Sequence, residues 1–465
     1  MPAEKPAHGS LLRAGHITSA LIVLFLTGFI LSLIAIYLSL PSRVAADGKD
    51  SQVRQSADGS RLISESNGMV ATHEGQRLKV VLDLGNVVLR TTDSGKIDYR
   101  VRLEVSSSEK DAQRLLREFT TTARETPEGV YFRGQSFGRQ SSGRLWVTVE
   151  LNIPKNYNVD ITTGGGSIQA DDINGRASLV TSGGTIIAGN IAGSAHLETA
   201  GGHLTLKNVT GDLTAISGGG HITAGAISGS ATLHTNGGHI RAESIHGPAH
   251  LSTGGGNIFV EHSGSELFAD TVGGQIEVGE TSGLVKAKNG GGGIRVVRVS
   301  GPTNLETVGG SIYLTQVDSA VEASTGSGAI TAWFVTPVKS PSQCEFHSGA
   351  GDIVVYIPRQ LPVTIDAQVQ SGDEHQVSFD PAFATTYRRD NSSGGGPLRA
   401  EGSLNGGGEV IRLQTVGGNI RVILSDTAKQ LELYKQQMEQ LQQKLAFQLK
   451  LFQDARQLQN LPQQR

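Results

Sequence analysis

Residues 201–245 read GGHLTLKNVTGDLTAISGGGHITAGAISGSATLHTNGGHIRAESI, and within them a Gly-Gly-His-aliphatic core returns at Leu204, Ile222 and Ile240, eighteen residues apart each time. Working outward, the same interval holds over ten positions: Ile168, Ile186, Leu204, Ile222, Ile240, Ile258, Ile276, Ile294, Ile312 and Ile330. A second aliphatic row follows five residues later, at Ile173, Ile191, Val209, Ile227 and Ile245. It lapses at Ser263 and Thr281 and returns at Val299 and Val317. A third row runs through Leu179, Leu197, Ala215, Leu233, Leu251, Ala269, Ala287, Leu305 and Ala323. A single eighteen-residue unit cannot bury its own apolar side, whereas stacked units can place each aliphatic on the one before it. The spacing therefore predicts an all-β fold, a β-solenoid (single-stranded β-helix) of ten coils over residues 161–335, with three short faces and coils about 4.8 Å apart. Glycine density excludes helix here, and the absence of a six-residue period within the coil argues against a hexapeptide solenoid.

A row of small polar residues shares the period: Thr181, Thr199, Ser217, Thr235, Thr253, Thr271, Asn289, Thr307 and Thr325. Stacked hydroxyls bonding along the column make it a structural ladder at a corner.

Composition narrows the class. Of 465 residues 61 are Gly and only 14 are Pro, without the three-residue period of collagen, and 37% hydrophobic content with net charge −3 is too apolar and too balanced for a disordered chain. The lone Cys344 excludes an intramolecular disulfide and a multi-thiolate metal site. A pI near 6.5 gives no basic stripe for nucleic acid, which is not expected as a partner.

The flanks divide the rest. Residues 17–40, ITSALIVLFLTGFILSLIAIYLSL, carry no charge over 24 positions, enough to cross a bilayer as a helix. Lys5 and Arg13 precede the span and Arg43 with Asp47 follow it, which favours a cytoplasmic N-terminus (1–16) and a periplasmic or extracellular body. The competing reading is a cleaved signal peptide ending near Val44-Ala45-Ala46, although its apolar region would be shorter, about 7 to 15 residues. Residues 41–76 read as a linker. Residues 77–160 read as a β-rich N-terminal cap with a helix from Ser107 to about Thr122. Over 336–424 the period slips, giving irregular coils, a C-terminal cap and a loop at 371–405. Residues 425–465 predict a helix whose Leu431, Tyr434, Met438, Leu441, Leu445, Phe452 and Ala455 fit heptad a and d places. That helix could drive weak self-association, and the alternatives are packing back along the rod or a frayed tail.

The stretch VELNIPKNYNVDITTGGGSI (149–168), the intervening Leu-x-Thr-x-Gly-Gly units and GSLNGGGEVIRLQTVGGNIRVIL (402–424) together resemble a bacterial domain family of unknown function catalogued as a putative adhesin. The resemblance covers about residues 78–424. It implies a β-solenoid on an anchored or exported protein and brings no catalytic residues. The strict coils also resemble bactofilins, which are polymerising solenoids, but those face the cytoplasm and lack a preceding span.

Chemistry-bearing motifs are sparse. No Gly-x-Ser-x-Gly elbow, His-Glu-x-x-His helix or phosphate loop occurs, and the carboxylates of the repeat scatter over different rows. Asp171-Asp172 reads as an exposed corner. The one constellation is His203, His221 and His239, which share a position on three successive coils; their rings would lie about 5 Å apart, forming a candidate metal site or acid-sensitive column. His196 and His250 share another row. No cofactor is expected. The chain reads as a non-enzymatic, membrane-anchored adhesin or envelope scaffold that meets an envelope polysaccharide or surface protein by multivalent contacts. A bactofilin-like polymer and a polysaccharide-active enzyme are the alternatives.

Overall fold

The computed structural model describes residues 52–137, 145–335, 344–371, 374–389 and 396–426, together with Glu432, Lys435, Gln436, Glu439, Gln440 and Gln443, which are helical and exposed. The span expected at 17–40, the segment before it and the heptad residues of the C-terminal helix lie outside the described residues. Among the described residues no helix is long and apolar enough to cross a membrane.

Each coil contributes one strand to each of two long parallel sheets. In the first sheet Val87 pairs with Ile168, and the ladder then climbs one aliphatic at a time to Ile330, Ile353 and Ile420. The second sheet stacks Asn158–Thr163, Ala177–Thr181, Ala195–Thr199 and their successors in the same register. All ten repeat aliphatics are at most 1% exposed, which places the predicted row inside the stack. Alternation does this locally: in Ala195–Thr199 the first, third and fifth side chains are buried and the intervening ones are not.

Two sheets replace the three faces expected. In the first coils the second aliphatic row is held by single bridges, Ile173 to Ile191, Ile191 to Val209 and Val209 to Ile227. From Ile222–Ile227 onward, one six-residue strand carries both rows. The cause is a ladder of side chains. Asp172 Oδ1 accepts the backbone N–H of Asn190 at 2.7 Å, and Asn208 Oδ1 accepts that of Ala226 at 2.9 Å, so carboxamides and a carboxylate do what strand pairing does higher up.

The hydroxyl column is structural, but its bonds run to backbone instead of along the column. Thr235 Oγ1 donates to the Gly220 carbonyl of the coil below at 2.8 Å and accepts from its own Gly238 N–H at 3.2 Å. The same pair of bonds recurs at Thr199, Ser217, Thr253, Thr271, Thr307 and Thr325. The neighbouring glycines answer to crowding: a Cβ on Gly238 would stand 2.1 Å from the Gly220 carbonyl oxygen, whereas one on Gly255 would meet nothing within 4 Å.

Antiparallel strands close the second sheet at both ends and the first sheet at its N-terminal end, whereas Val377–Phe379 ends the first sheet in parallel pairing, and here several boundaries shift. The linker expected at 41–76 contains Gln52–Gln55 and Arg61–Ala71, the latter paired over its whole length with Lys96–Ser106. The cap helix is confined to Ala112–Glu118, because Thr120, Thr121 and Thr122 are β-branched and join the strand Phe119–Thr126. At the other end the expected loop 371–405 holds the strands Val377–Phe379, Ala384–Arg389 and Leu398–Leu404, the last pairing antiparallel with Val363–Val369 and with Ala384–Arg389.

Candidate functional site

His203, His221 and His239 stand where the repeat places them, at the corner just before each first-sheet strand. Their rings stack with centroids 4.9 and 4.8 Å apart and planes within 13° and 7° of parallel. Each Nδ1 accepts the backbone N–H of the next coil: His203 from His221 at 2.9 Å, His221 from His239 at 2.8 Å and His239 from Asn257 at 2.8 Å. Asn257 continues the series, its Oδ1 accepting from Gln275 at 2.9 Å. Each neutral imidazole therefore carries its proton on Nε2 and commits its Nδ1 lone pair to the fold. Burial, reinforced by His203 and His239 on either side, holds the His221 pKa below the usual histidine value. The nitrogens form a row and do not converge on a point, and among the described residues no group of three or more His, Cys, Asp or Glu is arranged to hold a metal ion. The geometry gives the column an acceptor role that Asn fills equally well at position 257.

Asp172 belongs to the corner ladder already described, and the Asn190 backbone N–H holds its carboxyl below the ordinary range. Cys344 is buried and its thiol is pushed up to about 12 by that burial, so it is a core side chain without thiolate character. The carboxylates are less scattered than the rows of the repeat suggest. Glu243 and Glu261 are eighteen residues apart on adjacent first-sheet strands, and burial followed by the Glu261 charge pushes the Glu243 carboxyl up. Arg241 lies beside them, its guanidinium 4.6 Å over the Phe259 ring. Tyr313, Trp333 and Tyr356 form an aromatic column with centroids 4.8 and 4.4 Å apart. Trp333 and Tyr356 stack face to face, which turns ring edges outward and leaves little ring face for a sugar.

Near the N-terminal cap, on the outer side of the second sheet, a cleft of about 520 Å³ is lined by Arg77, Asn158, Asp160, Arg176, Ser178, Ser194, His196, Asp212 and Thr214. Ser178, His196 and Thr214 are register partners on three successive strands and point outward. Most charges in the cleft are matched. Arg77 pairs with Asp160, His196 Nε2 lies 3.4 Å from Glu198, and Asp212 accepts from the Ser230 hydroxyl at 2.7 Å and its backbone N–H at 2.8 Å. Arg176 has no ion pair among the described residues. The repeat marks His196 by its row, whereas Arg176 and Asp160 carry no such signal, because the cleft joins the cap to the coils and no motif spans that junction. Asp160 and Asp212 are three coils apart, about 14 Å along the stack, too far for a pair of glycosidic carboxylates.

No family model matches the sequence, and no curated protein matches it. Solved structures do match. One, described as a putative adhesin from Bacteroides fragilis, is 12% identical over 54% of this chain and 95% of its own, with a TM-score of 0.25. Another, described as a putative cell adhesion protein from Clostridium sporogenes, is 8% identical over 78% of this chain and all of its own, with a TM-score of 0.15.

Proposed function

We propose that this protein is a membrane-anchored, non-enzymatic adhesin or envelope scaffold, whose stack stands outside the cytoplasm and meets polymers or surfaces by many weak contacts. The observation that carries the reading is the pair of parallel ladders in which outward side chains recur at one-coil spacing from Val87 to Ile420. The outward rows set side chains of mixed chemistry at one-coil spacing of about 4.8 Å, Ser178, His196, Thr214, Thr232, His250 and Phe268 in one of them, and such a surface suits avidity, in which each contact is weak and their number decides retention. Anchoring rests on residues 17–40 alone, and protease accessibility in intact cells with a tag at each end tests it; a body protected in intact cells overturns the exported topology.

The mechanism has its own test. Deleting residues 240–275 removes two whole coils and joins His239 to Ile276 in register. Retention on an immobilised envelope polysaccharide should fall with the lost coils; unchanged retention would show that a single site does the binding. Antiparallel strands that terminate the second sheet at both ends disfavour end-to-end pairing in a bactofilin-like polymer. An enzymatic reading draws on Glu243 and Glu261. Release of reducing ends from a polysaccharide that disappears in Glu243→Gln would establish it in place of the one given.

A further inference from the structure

The geometry points to the cleft between the cap and the first coils as a binding subsite for an acidic sugar, with the Arg176 guanidinium holding the sugar carboxylate. This deepens the adhesion reading and rests on it, since it names the glycan class that one part of the surface selects.

Charge matching makes the first argument. Arg77 is occupied by Asp160 and His196 lies against Glu198, so Arg176 is the cation left for a ligand. Its planar fork suits a carboxylate through two parallel hydrogen bonds. The walls make the second. The hydroxyls of Ser178, Ser194 and Thr214 form no hydrogen bond among the described residues and offer donors and acceptors to sugar hydroxyls. The apolar residues of the lining, Val159, Ala177 and Ala195, are at most 4% exposed, so little hydrophobic surface is left for a peptide or lipid. Asp160 is taken by Arg77, and Asp212, hydrogen-bonded to Ser230, adds one negative charge at the far side of the cleft from Arg77. Ser178, His196 and Thr214 sit on hydrogen-bonded strands in fixed register, and Arg176 immediately precedes the first of these strands, which limits the ordering needed on binding.

The test uses the purified full-length chain and two hexasaccharides that differ in the carboxylate: cellohexaose and its C6-oxidised counterpart, β-1,4-linked hexaglucuronate. Isothermal titration at low salt should give binding of hexaglucuronate at least about tenfold tighter than of cellohexaose. Arg176→Gln should abolish that preference, and Ser178→Tyr, which fills the cleft, should abolish binding of both sugars, with the circular dichroism spectrum unchanged in each variant. The variant lacking residues 240–275 should keep hexaglucuronate binding, because its cleft is intact. Equal affinity for the two sugars, undiminished preference in Arg176→Gln, or no hexaglucuronate binding by the native chain overturns the proposal. The adhesion reading stands or falls separately, on retention by immobilised polymer.

Discussion

Gly238 and Gly255 lie in neighbouring coils of the same repeat and differ in what surrounds them. At Gly238 the backbone of the coil below approaches so closely that a methyl group displaces it, while at Gly255 the methyl enters open space. Gly238→Ala is expected to destabilise by about 1–3 kcal/mol through overpacking and Gly255→Ala to stay within about 0.5 kcal/mol; denaturation midpoints of the two variants check the contrast. Thr235→Val keeps the volume but removes the hydroxyl that serves the Gly220 carbonyl and the Gly238 N–H. Leaving those buried groups unpaired should cost about 1–3 kcal/mol, measurable in the same series. The row of glycines and threonines was legible in the sequence as a period. Which glycine of each pair is obligatory was not, because that depends on the distance to a carbonyl eighteen residues away.

At the scale of the strand and its corner, the histidine column is a set of backbone acceptors, and a proton on His221 removes the one that holds the His239 amide. The folded state holds the His221 pKa below its unfolded value, which is near 6.5. The folded chain therefore binds fewer protons than the unfolded one below that pH. Stability is fully present above about pH 6.5 and falls as the pH drops from there towards the depressed folded value. Hydrogen exchange compared at pH 8 and pH 5 should show the His239 amide, which the His221 Nδ1 accepts, losing protection on acidification. His221→Asn should remove most of that change, since Asn257 already shows that a carboxamide can take the place; exchange in the variant that still rises as in the native chain would separate the column from the effect. The second aliphatic row belongs to this scale too. Its period is visible in the sequence, whereas its merging with the first sheet follows from whether Asp172, Asn190 and Asn208 or direct strand pairing satisfies the corner amides.

For the molecule as a stack, stability is close to a sum of coil and interface terms, so damage in one coil is felt by its two neighbours. Ile240→Ala, which empties a fully packed position in the middle of the ladder, is expected to cost about 2–5 kcal/mol and to broaden the thermal transition as the two halves uncouple; calorimetry reads both. The closed ends predict that residues 52–426 remain free of filaments in sedimentation experiments. Exposing the terminal edge by deleting Ala384–Arg389 and Leu398–Leu404 should convert them to higher assemblies.

By itself the sequence determined the solenoid, its eighteen-residue coil and the buried rows, because a strict period in apolar residues has one economical solution, stacking in register. It also singled out the residues that resemble adhesin domains and the uncharged span before them. Tertiary structure decided the rest: two sheets in place of three faces, the antiparallel closures built from segments that read as linker and loop, the acceptor role of the histidines, and a cleft whose residues come from a cap and three separate coils. These depend on which groups meet across coils and at the ends of the stack, and distances between residues far apart in the chain are absent from any local pattern.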